Sequence, residues 1–198
     1  MASYRRLIAT EEETMNVIQL LRSFVRTASA HCDTEDGPAV ADGRRALETG
    51  NVNIALKWVH QADEPEVRDA FTRAVAVRDL SPEARDVADR YFLDVLVRVH
   101  RAGEGAGFDG IKPAGAHVPP QVVAADQALA AGSIDPLRGL VAEDRWDELE
   151  RRFDRAVALK GFDVDDLTAA RDYMEAYVAF FKYAEGHDHH HHDHAHAH

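Results

Sequence analysis

The sequence has only one cysteine, Cys32, among 198 residues. An intramolecular disulfide framework is therefore excluded, and Cys32 is a buried apolar residue, a free thiol or a thiolate ligand. No apolar run approaches the roughly 18–20 residues of a membrane-spanning helix. Basic residues are also scarce, with 23 Lys and Arg against 35 Asp and Glu and a net charge of −12. This balance argues against nucleic acid and against an anionic membrane surface as partners.

The first 30 residues lack the features of a secretory signal. Glutamates occupy positions 11–13, where the apolar segment would begin, and Arg22 interrupts the short apolar run 17–25. Ala28-Ser29-Ala30 nevertheless fits a cleavage site made of small residues. We interpret residues 1–30 as a pro-segment or amphipathic leader of a cytoplasmic protein.

An internal repeat is the most specific feature of the chain. The segment 38–92 aligns with 120–174 without a gap, and 14 of these 55 positions are identical. FTRAVAVR (71–78) falls on FDRAVALK (153–160). Because the register has no gap, duplication of a supersecondary unit is favoured over chance similarity between two alanine-rich segments.

The residue pattern of both repeats is helical. Ser81 and Pro82 form a helix start, and Gly50 and Gly132 stand where helices are expected to stop. Apolar stripes at spacings of three and four predict three buried helix faces: Val67, Phe71, Ala74, Val75; then Ala84, Val87, Ala88, Tyr91, Val95, Val99; and, from a start near Asp163, Leu167, Ala170, Tyr173, Tyr177, Val178, Phe181. The sequence therefore predicts an all-α, internally duplicated helical bundle with two repeats of about four helices each.

The chain divides accordingly into five segments. The first repeat covers 31–104, a Gly/Pro-rich connecting loop covers 105–119, and the second repeat covers 120–186. We expect the loop to fold back on the helices, with a plain linker as the alternative. Residues 1–30 precede these segments, and a flexible histidine-rich tail, 187–198, follows them.

The tripeptide His31-Cys32-Asp33 is the first candidate metal site, and we call it the N-terminal hook. A thiolate and an imidazole suit nickel, copper or zinc, and cleavage before His31 would add a terminal amine. Asp33 and Asp36 supply carboxylates. The alternative is that Cys32 packs as a small hydrophobic residue while Asp36 or Thr34 caps the following helix.

His100 and Glu104 are the second candidate pair. Their spacing of four places them on one face where a long helix ends. Combined with His31 and Cys32, they would form a mixed N/S/O site for a divalent transition metal. His100 falls on Lys182 in the second repeat, which indicates one active and one structural unit. The alternative is a solvated helix end with an Arg–Glu pair.

The tail is the third candidate. Neutral imidazoles interspersed with aspartate bind nickel, zinc or copper loosely. We interpret it as a natural metal-storing or metal-transferring tail rather than a purification tag. Its eight histidines are His187, His189, His190, His191, His192, His194, His196 and His198.

Two family resemblances accompany these motifs. SAHCD (29–33), after LLRSFV (20–25), resembles the start of nickel superoxide dismutase precursors. That resemblance implies removal of a pro-segment before His31, nickel wrapped by the new terminus, and a helical hexamer. Asp36 stands where that family has its second cysteine.

Residues 31–185 resemble, over their whole length, a bacterial family of unassigned function. The resemblance rests on HCDTEDGP, ALETGNVN, LSPEARDVADRYF and LVRVHRAGEGAGFDGIKPAG. It implies a chain that begins or is cleaved near the hook and ends in a histidine-rich tail, and it implies no known reaction.

These observations favour a transition-metal-binding helical protein that acts as a metal chaperone, store or sensor. Nickel or copper is the expected cofactor, with zinc as a further candidate. A homo-oligomer or a recipient metalloenzyme are the protein partners that fit this interpretation. A one-cysteine, nickel superoxide dismutase-like oxidoreductase and a helical assembly module are the two alternative functions.

Overall fold

A computed structural model describes residues 32–116 and 118–186. The leader 1–30, His31, His117 and the tail 187–198 lie outside the described residues. Within them the chain forms seven α-helices and no β-strand, so the predicted all-α class is confirmed. None of the described helices is long and apolar enough to cross a lipid bilayer.

The helices fall into two groups separated by the connecting loop. We call residues 38–103 the first unit and residues 120–184 the second unit. The helices are α1 (Pro38–Thr49), α2 (Asn53–Leu56), α3 (Glu64–Val77), α4 (Pro82–Gly103), α5 (Pro120–Ala131), α6 (Trp146–Leu159) and α7 (Leu167–Ala184). Short 3-10 turns lie at Gln61–Asp63, Asp135–Leu137 and Glu143–Arg145.

The helix bounds of the two units recur in the register of the sequence repeat. When 38–92 is aligned with 120–174, α1 coincides with α5 and α3 coincides with α6 at both ends. Both α1 and α5 end at a left-handed glycine, Gly50 with φ 71° and Gly132 with φ 68°. The amide that follows each glycine donates to the carbonyl of Ala46 or Ala128, which are themselves equivalent positions of the repeat. Glycine suits this helix stop because a Cβ would strain the left-handed backbone.

The second unit departs from the expected four helices. The four-residue helix α2 is matched there only by the 3-10 turn Asp135–Leu137. Pro136 stands at the position of Ile54 and has no amide hydrogen to donate. The last helix starts at Leu167 rather than near Asp163, because Asp166 Oδ1 accepts the Ala169 amide at 3.0 Å and caps that turn.

The long last helix of each unit carries much of the core. α4 packs against α1 and α3, while α7 packs against α5 and α6. Phe92 and Phe180 are completely buried on these two helices. The ring of Phe92 meets Phe71 of α3 in a T-shaped contact at 5.4 Å.

The stripe predicted for α4 is wrong at two positions. Val87 is 71% exposed and Tyr91 is 43% exposed. Because α4 is buried against two helices at once, its buried face is wider than one stripe and runs through Phe92, Leu96 and Val97 instead. Tyr91, which aligns with Tyr173 in the sequence repeat, is therefore not a core residue.

The connecting loop returns to the start of the described chain. The Lys112 amide donates to Asp33 O at 2.8 Å, and Lys112 O accepts the Glu35 amide at 2.9 Å. Ile111 is 9% exposed and joins the core. These contacts pin residues 32–37, which we call the hook segment, to the body of the protein.

Candidate metal centre

His100 is a buried histidine in which one ring nitrogen has a hydrogen-bond partner and the other has none. It lies in the last turn of α4 and is 6% exposed. Its Nδ1 is 2.8 Å from the carbonyl oxygen of Trp58. Since a carbonyl can only accept, Nδ1 carries a hydrogen, and Nε2 is the nitrogen that presents a lone pair in the neutral form of the ring. That Nε2 is buried without a hydrogen-bond partner.

The carboxylate of Glu104 is near His100 Nε2. Glu104 caps the C-terminal end of α4, and its Oε2 lies 3.8 Å from His100 Nε2. Its other oxygen, Oε1, is 4.0 Å from Lys182 Nζ of α7. Residues 100 and 182 occupy equivalent positions of the two units, so the two helix ends converge on Glu104.

Cys32 lies close enough to Glu104 for their charges to interact. Its side chain is partly buried and packs against the core. Burial raises the pKa of the thiol well above its usual value, and the carboxylates of Glu104, Asp126 and Asp33 raise it further. Arg101 opposes this only in part. The thiol is therefore protonated at neutral pH unless a cation replaces its hydrogen.

Asp33 has a structural partner. It is 2% exposed, and its Oδ2 lies 3.2 Å from Arg101 Nη1. Burial raises the pKa of the Asp33 carboxyl, against the attraction of Arg101 and Lys112. Its Oδ1 is buried without a hydrogen-bond partner. Arg98, on the same helix as Arg101, pairs with Glu66 instead of with the hook.

Asp36 points to a different surface. Its side chain is exposed, and its Oδ2 accepts the Gly115 amide of the connecting loop at 3.1 Å. This contact helps to fasten the loop to the hook segment. The structure thus places His100 close to Glu104 and Cys32 within reach of the Glu104 charge, and it engages Asp33 and Asp36 in contacts of their own.

Two side chains that sequence reasoning missed complete the surroundings. Tyr177 of α7 is 7% exposed, and its hydroxyl donates to Asp126 Oδ1 at 3.1 Å. Burial raises the pKa of Tyr177 well above its usual value, with Asp126 and Cys32 adding to the effect. Neither residue has a metal-ligand motif around it, so only the packing of α5 and α7 against the hook reveals them.

The described residues do not by themselves form a complete metal site. Within 32–116 and 118–186, no group of three or more His, Cys, Asp or Glu side chains is arranged around one point. His31, the fourth residue of the predicted mixed site, and the eight tail histidines lie outside those ranges.

Comparison with known proteins places the chain in a family without giving it an activity. Residues 36–183 match a family of unknown function, DUF6448. The chain belongs to this family. The match spans both units and the loop between them, and it begins within the hook segment. No curated protein and no solved structure matches the chain.

Proposed function

We propose that this DUF6448 protein binds one transition-metal ion where the N-terminal hook meets the end of α4. Nickel or copper is favoured, with zinc as the third candidate. The observation that carries the proposal is the buried His100 Nε2, which has no hydrogen-bond partner and faces the Glu104 carboxylate. An imidazole that donates Nδ1 to a carbonyl and presents Nε2 is oriented as metal-binding histidines are.

The carboxylates around the thiol give it surroundings of negative charge, which attract cations. Burial and neighbouring carboxylates disfavour a lone thiolate at Cys32. A divalent ion would offset that repulsion while displacing the thiol hydrogen, since metal binding and deprotonation are linked. His31 is adjacent to Cys32 in the chain, so its imidazole is available for the same ion.

The distance between His100 Nε2 and Glu104 Oε2 is close to the distance between two ligands of one metal ion. Two donors held about 2.1 Å from a tetrahedral ion lie about 3.4 Å apart. The Nε2–Oε2 separation of 3.8 Å therefore requires only a small side-chain movement. The proposed ligands are Cys32, His100 and Glu104, completed by His31.

The biological role that fits best is that of a metal chaperone, store or sensor. Eight histidines in the tail 187–198 would raise the local metal concentration beside a more selective site. We propose the cytoplasm as the place of this role.

We infer further that the two units arose by duplication of one helical unit. Support comes from the gapless sequence register, the coincident helix bounds and the paired glycine stops. One more pair supports it: Arg78 donates to Leu47 O and Lys160 donates to Leu129 O, so donor and acceptor both occupy equivalent positions of the repeat. After such a duplication, His100 and Lys182 would have diverged to different tasks.

The test uses the full-length chain with the eight tail histidines replaced by serine, so that only the proposed site remains. Isothermal titration with Ni²⁺ and native mass spectrometry should show one bound ion. X-ray absorption should show one sulfur donor. His100→Gln and Cys32→Ser should each weaken binding by about 100-fold, since each removes a direct ligand.

His60→Gln is the matched control. His60 Nε2 approaches Gly103 O at 3.3 Å, next to the site but outside the proposed ligand set. The affinity of the His60→Gln variant for Ni²⁺ should equal that of the tail-substituted chain. Unchanged affinity in both His100→Gln and Cys32→Ser would rule the centre out and leave the tail as the metal-binding part.

A further inference from the structure

The first and second units contact each other through surfaces that are not equivalent in the repeat. The second unit contributes the start of α7 and the segment just before it, and the first unit contributes α2 and its flanking residues. Asp165 Oδ1 accepts from Asn51 Nδ2 at 3.1 Å and from Asn53 Nδ2 at 2.9 Å. Lys57 Nζ lies 5.5 Å from the centre of the Phe162 ring. We call this head-to-tail contact the junction.

Further contacts extend the junction along α7. Arg171 donates to the carbonyl oxygens of Val59 at 3.2 Å and of Leu56 at 3.4 Å. Trp58 meets Tyr177 in a T-shaped ring contact at 6.0 Å. The junction therefore combines buried rings with hydrogen bonds from polar side chains.

Leu80, Val87 and Tyr91 form an exposed surface of the first unit, which we call the outer face. In the register that aligns 38–92 with 120–174, Leu80 falls on Phe162 and Tyr91 falls on Tyr173. Tyr173 packs against the core, whereas Tyr91 is exposed and Leu80 is 76% exposed. Val87 and Tyr91 also line a groove of about 610 Å³ between α3 and α4. The outer face is thus an uncovered counterpart of the surface that the second unit contributes to the junction.

Arg138, Gly139 and Leu140 form an exposed segment of the second unit, which we call the outer end. They fall on positions 56–58 of the first unit, which belong to the junction. Leu140 is 38% exposed, whereas its counterpart Trp58 is buried. Each end of the described molecule therefore leaves exposed the counterpart of a surface that the junction covers.

We propose that the outer face of one copy of this chain docks on the outer end of a second copy, in the manner of the junction. Exposed apolar patches mark interaction sites, and stacked repeat units bury such surfaces against the next unit. Contact between two different surfaces of identical chains is heterologous, so the association continues beyond a dimer. The proposal is independent of metal binding.

The charges at the proposed contact are mixed. Asp89 and Arg138 hold the positions of the contact between Arg171 and the Leu56 carbonyl, and they are of opposite sign. Glu83 and Asp135 hold the positions of an aspartate–asparagine contact, and they are of like sign. Because each chain also carries a net charge of −12, repulsion between copies weakens the association unless salt screens it. High salt is therefore the condition in which the association should be strongest.

The test measures the mass of the full-length chain by analytical ultracentrifugation as its concentration is raised. High salt screens the repulsion, and EDTA keeps metal ions from linking the histidine tails. We expect the average mass to rise from one chain to more than two. Leu80→Lys combined with Val87→Lys alters the outer face, and Leu140→Lys alters the outer end. Each of these two variants should remain monomeric, because the contact would bury an unpaired charge.

Mixing the two variants distinguishes head-to-tail contact from other modes of association. One intact outer face and one intact outer end remain in an equimolar mixture, so dimers should form and no larger species. Val123→Lys is the matched control, because Val123 is about as exposed as Leu140 and lies on α5, outside both surfaces. This variant should associate as the unaltered chain does.

Three results would overturn the proposal. A full-length chain that stays monomeric at every concentration would show that a second copy does not cover the outer face. Dimers of the Leu140→Lys variant alone would show that two outer faces pair with each other. A mixture of the two variants that stays monomeric, while the unaltered chain associates, would place the contact on another surface.

Discussion

The first and second helical units share part of their helix pattern but differ in the polar side chains at the ends of their last helices. Helices α1 and α3 begin and end at positions equivalent to those of α5 and α6. The last helix of each unit packs against both members of that unit's pair. They differ where α4 and α7 end: the first unit places His100 and Glu104 there, whereas the second places Lys182. The two units share the spacing of their apolar residues and the glycines that end their first helices. They differ in a few polar side chains. A repeated scaffold therefore does not imply a repeated site.

The largest effect is expected from buried core residues of the two units. Phe92→Ala should lower the free energy of unfolding by about 4 kcal/mol and Met174→Ala, its equivalent, by about 3 kcal/mol. Because buried residues of both units form one cluster, each variant should unfold in a single transition. Trp58→Phe and Trp146→Phe backgrounds leave one tryptophan per chain, so denaturant titration by fluorescence follows each unit separately. Two separate transitions would show that the units are independent.

The second prediction exchanges the residues that distinguish the two units. Lys182→His places an imidazole near Glu104 and should strengthen Ni²⁺ binding by about tenfold, because the ion gains a donor. His100→Lys copies the second unit into the first and should weaken binding by about 100-fold. Both are measured by calorimetry in the tail-substituted chain. If Lys182→His weakened binding, the two helix ends would not serve one ion.

The third prediction concerns the ion pair that joins the units. Burial acts to raise the pKa of Glu64, but hydrogen bonds from Arg171 and Arg68 outweigh it and hold the pKa below its usual value. A lowered pKa contributes stability above the ordinary pKa of about 4.3, and that stability is lost as the pH falls through the lowered value. Glu64→Gln should therefore cost about 1–2 kcal/mol at pH 7 and nothing in strong acid.

Glu66→Gln is the control for this measurement. Glu66 pairs with Arg98 within the first unit, and both side chains are about half exposed. Its loss should change stability by less than about 0.5 kcal/mol at either pH. Denaturant midpoints followed as the pH is lowered from 7 into strong acid decide between the two. A pH-independent loss in Glu64→Gln would mean that packing, and not the ion pair, joins the units.

Local sequence patterns predicted much of the fold. Ser81 Oγ accepts the Ala84 amide at 3.1 Å and starts α4 as predicted, and Gly50 and Gly132 stop their helices. These signals work because a cap or a left-handed glycine acts on its own turn. The buried face of α4 was predicted less well: a helix that contacts two others buries residues outside one stripe, so Val87 and Tyr91 are exposed.

The sequence predicted only some of the residues at the candidate site. The sequence named Cys32, His100 and Glu104, because thiol, imidazole and carboxylate are recognisable as donors wherever they stand. It could not name Asp126 or Tyr177, which lie far along the chain from the hook and reach it only when α5 and α7 pack there. It also assigned Asp36 to the hook, whereas that carboxylate accepts from Gly115.

The sequence by itself determined the all-α class, the positions of the glycine helix ends and the repeated helix bounds in the two units. Those properties depend on each residue and its neighbours within a turn or two. Tertiary structure alone decided that Lys182 would face Glu104, that Trp58 would hold His100 by its carbonyl, and that a cavity would remain between them. The contact between Trp58 and His100 depends on packing within the first unit, and the other two depend on how the two units pack against each other; no local pattern encodes either.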